Sequence, residues 1–67
     1  MEIEELAELL KESEAQHAAF ERVAPKHNWY DCYAAYIVAR QRGSNPEEAA
    51  LAARTFMAEA KGVIVAA

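Results

Sequence analysis

Asn28-Trp29-Tyr30-Asp31-Cys32-Tyr33-Ala34-Ala35-Tyr36-Ile37-Val38-Ala39-Arg40-Gln41-Arg42-Gly43 is the stretch whose reading decides the fold. It reads as a helix over 29–42. Asn28 stands where a side chain caps the amides of Tyr30 or Asp31, Asp31 lies in the first turn, and Arg40 and Arg42 lie in the last. Gly43 supplies the left-handed residue that closes a helix. Trp29, Tyr30, Cys32, Tyr33, Tyr36, Ile37 and Val38 point in nearly every direction around the axis, and a helix apolar all round is a central helix. Two neighbours drawn from a 67-residue chain scarcely cover it, so the stretch predicts association into a homodimer.

Upstream, Ile3, Leu6, Leu9, Leu10, Ser13, His17 and Phe20 fall on one side of a helix of about 100° per residue, predicting a first helix over 2–22. Glu4, Glu5, Glu8, Glu12 and Gln16 take the other side, with Arg22 in the last turn. Downstream, Asn45-Pro46-Glu47-Glu48 gives a cap, a proline at the first helical position and acids in the first turn. The third helix is expected over 46–61, ending before Gly62, with an inner stripe of Ala49, Ala53, Phe56, Met57 and Ala60. The tail over 63–67 opens with Val63-Ile64-Val65, which is β-branched and favours an extended form, lying over the open end of the bundle or pairing with a partner chain. Residues 1–67 are therefore one all-α unit of three helices, with no repeat and no long linker.

Composition narrows the function classes. Of the 36 apolar residues 16 are alanine, which leaves a thin core, and chains this short usually need a disulfide, a metal or a partner. Cys32 is the one cysteine and has no internal partner for a disulfide. The net charge is −4, with seven glutamates in residues 1–21, which disfavours nucleic-acid binding by bulk charge. The N-terminal Met-Glu-Ile-Glu-Glu lacks the basic and apolar regions of a signal peptide, and no run approaches a membrane span, so a cytoplasmic location is expected.

Two constellations carry candidate chemistry. Glu14 and His17 form Glu-x-x-His, the spacing that brings a carboxylate and an imidazole to one metal in di-iron and di-manganese bundles, with Glu21 a further turn along. A two-fold dimer duplicates that motif and makes an iron- or manganese-type centre the alternative reading. Otherwise no cofactor is expected, and His17 is a buried side chain bonded to a tyrosine hydroxyl, a carboxylate or Ser13. The second constellation is His27, Trp29, Asp31, Tyr33 and Tyr36, which together with His17 either wall a small anion-binding pocket at the start of the second helix or form core and cap. His17 and Asp31 are the expected partners for tyrosine hydroxyls. Catalytic residues are not evident: Cys32 sits among aromatics, and Ser13 and Ser44 lack a base and an orienting acid.

The stretch from Glu14 to Glu59, with Glu-Ala-Gln-His-Ala-Ala-Phe-Glu, Ala-Pro-Lys-His-Asn-Trp-Tyr-Asp-Cys-Tyr-Ala-Ala-Tyr and Gly-Ser-Asn-Pro-Glu-Glu-Ala, resembles short bacterial helical proteins often labelled bleomycin-resistance or glyoxalase-like. Their central motif reads His-Asp-Trp-x-Asp-Trp-Tyr-Ala-x-Tyr, and here Asn28 replaces the first Asp and Cys32 the second Trp. The resemblance implies a helical module that accompanies such enzymes. It supplies no catalytic residue, and it directs attention to His17, His27, Trp29, Asp31, Tyr33 and Tyr36. The expected function is a non-enzymatic module that binds a protein partner or a small ligand. A metal-binding dimer through Glu14, His17 and Glu21, and a purely structural dimer, are the alternatives.

Overall fold

The computed structural model describes residues 2–22, 24 and 27–63. Among them are three helices, α1 (Ile3–Glu21), α2 (Trp29–Gln41) and α3 (Pro46–Lys61), and no strand. The all-α unit expected from the sequence is present. α1 is one residue shorter at each end than expected, so Arg22 caps the helix from outside its last turn. The tail from Ile64 onward lies outside the described residues.

Local chemistry sets the boundaries. Asn45 Oδ1 accepts from the Glu48 amide at 2.8 Å and Glu48 Oε1 accepts from the Asn45 amide at 2.9 Å, a closed capping box ahead of Pro46. Gly43, at φ 102°, lets the Ser44 amide reach the Ala39 carbonyl and its own amide reach Arg40, which turns the chain out of α2 and into α3. Gly62, at φ 69°, ends α3 in the same left-handed way, and the Val63 amide donates back to Met57 at 2.9 Å. Asn28 departs from expectation: its side chain stays exposed and makes no capping bond, leaving Asp31 as the acid that complements the start of α2.

α2 and α3 form the tighter pair, and α1 lies chiefly on α2 with slight contact to α3. The core joins Phe20, Cys32, Tyr36, Ala39, Ala49, Ala53, Met57 and Val63. α3 contributes Ala49, Ala53 and Met57, a four-residue repeat whose small members let α2 approach closely. Phe56 and Ala60 were expected on this inner stripe but are exposed, because a four-residue repeat rotates past them.

α1 buries Leu9, Ser13, His17 and Phe20, whereas Ile3, Leu6 and Leu10 of the expected stripe are exposed. Length accounts for Ile3 and Leu6. The 19 residues of α1 exceed the 13 of α2 by six, about 9 Å at 1.5 Å per residue, so the first turns of α1 run past the end of α2 near Arg40 and Gln41. α2 buries only Cys32, Tyr36 and Ala39, and Trp29, Tyr30 and Val38 face outward. Its cover within one chain is one-sided.

Candidate functional site

Six rings connect α1 to the start of α2. His17 meets His27 edge-on at 5.0 Å and Tyr33 at 5.1 Å, Phe20 meets His27 at 5.0 Å, and Trp29 meets Tyr33 at 5.0 Å and Tyr30 at 5.7 Å. Helical spacing produces the arrangement: His17 and Phe20 share the inner face of α1, while Trp29 and Tyr33 lie four apart on α2. His17 is 6% exposed, and its Nδ1 has no hydrogen-bond partner. Its Nε2 lies 3.4 Å from Glu21 Oε2. Burial holds the imidazole below its ordinary value of 6.5, against the Glu21 carboxylate, which pulls it up. His17 is thus a neutral ring at pH 7. Burial likewise pushes the Tyr33 hydroxyl up.

Beneath His17 lies a void of about 10 Å³ lined by Ser13, Cys32, Tyr36 and Arg54 among others, at the lower limit of what one water molecule occupies. Cys32 is buried there, and desolvation pushes its thiol up, away from the thiolate that nucleophilic chemistry needs.

Tyr36 turns away from these rings. Its hydroxyl donates to Glu12 Oε1 at 2.9 Å, Arg40 Nε donates to the same oxygen at 2.9 Å, and Arg40 Nη1 donates to the Ser44 carbonyl at 3.0 Å. One carboxylate thereby ties α1 to α2, and through Arg40 to the turn before α3. The Arg40 and Tyr36 bonds hold Glu12 below its ordinary carboxylate value. Burial and the Glu12 carboxylate keep the Tyr36 phenol protonated above its own. The tyrosine's partner is therefore Glu12, which the sequence assigns to the solvent side of the first helix, and not His17 or Asp31. Asp31 pairs instead with Lys61 at 3.7 Å, bracing the start of α2 against the end of α3.

Of the residues singled out by sequence, the structure brings together His17, His27, Trp29 and Tyr33, with Glu21 at the edge; Tyr36 lines the void beneath His17 but sends its hydroxyl to Glu12, and Asp31 pairs with Lys61. Glu14 is exposed, and the carboxylate that reaches His17 is Glu21. Among the described residues no group of three or more His, Cys, Asp or Glu side chains is placed to hold a metal ion.

The opposite side of α2 carries a broad concavity. A groove of about 540 Å³ runs between α2 and α3, walled by Ala34, Ala35, Val38 and Ala39 on one side and Ala52 and Phe56 on the other. Asp31 stands at one end, Arg42 and Ser44 at the other. Val38 and Phe56 are 42% and 39% exposed, and the apolar surface continues from Phe56 across Ala52 to Leu51, which is 66% exposed. Arg42 is exposed and pairs with no carboxylate among the described residues. The sequence reading missed this surface as a site. Its signal was present in the failure of α2 to confine its apolar residues to one face.

No helix among the described residues is long and apolar enough to cross a membrane. None of the family models, characterised proteins or solved structures compared with the chain matches it.

Proposed function

We propose that the protein is a non-enzymatic helical interaction module whose docking surface is the α2–α3 groove. The observation that carries this reading is the groove itself: an apolar trough along most of α2, with one acidic and one basic end. Its alanines lower the walls, Val38 and Phe56 supply apolar area, and Asp31 and Arg42 give an incoming helix a direction. An amphipathic helix is the occupant that such a trough fits, since apolar side chains three and four apart interdigitate with its walls.

The aromatic–histidine cluster supports the same reading by its chemistry. Its rings pack on one another edge to face, and its central imidazole is a buried neutral group. These are features of a polar core that orders α1 against α2. The neighbouring thiol is held protonated.

The test is a titration of isotope-labelled protein with a synthetic amphipathic helix that has leucines spaced three and four apart, one acidic end and one basic end. Saturable chemical-shift changes at Ala34, Val38, Ala52 and Phe56, abolished by Val38→Glu, are expected. Changes confined to Trp29 and Tyr33, or none that saturate, would contradict the reading.

A further inference from the structure

We infer that the helix occupying the α2–α3 groove is α2 of a second copy of this chain, running antiparallel about a two-fold axis; this rests on the reading of that groove as a docking surface. The inference follows from the order of residues along the groove. Asp31, Ala35, Val38 and Arg42 are spaced by four, three and four, the alternation that keeps one seam of a helix facing a partner helix.

A two-fold axis makes an interface self-complementary, so that if residue i meets j then j meets i. Passing through the middle of this seam, between Ala35 and Val38, it sets Asp31 against the partner's Arg42 and Ala35 against the partner's Val38. Both pairings come from a single register. Each layer joins unlike residues that fit: a carboxylate with a guanidinium at both ends, and a methyl with an isopropyl group in the centre. A parallel arrangement would instead place Asp31 on Asp31 and Arg42 on Arg42, opposing like charges.

The surroundings agree. Arg42 has no carboxylate partner among the described residues, and Asp31, already touched by Lys61, retains lone pairs for a second cation. Ala34, Ala35 and Ala39 permit close approach of the two α2 helices. Phe56 and Ala52 then flank the incoming helix, so that α3, α2 and their symmetry mates form one four-helix layer. This covers Val38, which a single chain leaves exposed on its central helix.

The test uses full-length wild type and two charge variants, Asp31→Arg and Arg42→Asp, in sedimentation equilibrium. Wild type is expected to dimerise. Each single variant alone opposes like charges at both ends and should dimerise at least about tenfold more weakly. The equimolar mixture of the two variants restores opposite charges at both ends, and should associate as a heterodimer with near wild-type strength.

Far-UV circular dichroism checks that Asp31→Arg, which also loses the Lys61 pair, still folds. Val38→Glu alters an exposed side chain and should give a folded monomer irrespective of that check. A mixture no stronger than its components, or a Val38→Glu dimer as strong as wild type, would overturn the inference. Wild type that stays monomeric up to millimolar concentration would overturn it too. In that last case a saturable groove response to the synthetic helix keeps the docking reading, and its absence removes both.

Discussion

Tyr36 donates its hydroxyl to Glu12 at 2.9 Å across the α1–α2 boundary, a bond between residues 24 positions apart that Arg40 closes from the next turn of α2. Tyr36 is 2% exposed, so this hydroxyl has no recourse to bulk water. Tyr36→Phe should therefore cost about 1 kcal/mol, because Arg40 still satisfies the carboxylate. Glu12→Ala should cost about 2 kcal/mol, because it leaves a buried hydroxyl without its acceptor. Urea unfolding of both variants checks the order, and a larger loss for Tyr36→Phe would contradict it.

Acid should destabilise the fold in two stages. His17 is held below 6.5 by burial, so the unfolded chain takes up its proton first: the contribution is complete above pH 6.5 and is lost as pH falls toward the folded value. Glu21 opposes the shift, while the neighbouring His27 reinforces it. Glu12 is held below its ordinary 4.5, so its contribution is complete above that value and is lost as pH falls through the folded one. Urea midpoints measured over this range should decline below pH 6.5, and His17→Gln should flatten the upper stage. An unchanged upper stage in that variant would show that another group carries it.

Cys32 should be inert in the native protein. The side chain is buried in the core and its thiol is pushed up by desolvation. Reaction with a thiol-specific disulfide reagent should run on the order of a thousandfold slower than in urea, as expected when attack requires opening of a domain stable by about 5 kcal/mol. A native rate close to the unfolded one would contradict the placement of Cys32.

Two asparagines that read alike in sequence should behave differently on substitution. Asn45→Ala removes a formed capping box and should cost about 1 kcal/mol. Asn28→Ala removes no capping bond and should change stability little. Thermal unfolding of the pair distinguishes them, and equal losses would contradict the observed caps.

What was legible in the sequence was local. Pro46, Gly43 and Gly62 punctuate the helices where backbone chemistry requires it, and both bounds of α3 and, to within one residue, the end of α2 follow from them. The side chains that cross between helices were less legible. Glu12 lies on the polar side of α1 by periodicity, yet its carboxylate reaches Tyr36 and Arg40 of α2. Glu14, at the metal-ligand spacing from His17, was the more conspicuous acid. The structure instead uses Glu21, because i,i+4 is a neighbouring pair on the helix surface as much as i,i+3 is. Phe56 was misplaced for a related reason: apolar character put it in the core, whereas the Ala49, Ala53, Met57 repeat turned it toward the groove. The incomplete cover of α2 was legible from its all-round apolarity, and the structure leaves Val38 exposed in the groove and Trp29 and Tyr30 exposed outside it.

The most direct test of the self-docked groove is an isotope-filtered nuclear Overhauser experiment on a sample mixed from labelled and unlabelled chains. The account predicts intermolecular cross-peaks between the Ala35 and Val38 methyl groups. Intermolecular cross-peaks arising instead from Trp29, Tyr30 or the Ile3, Leu6 and Leu10 edge of α1, or no intermolecular cross-peaks at all, would contradict it.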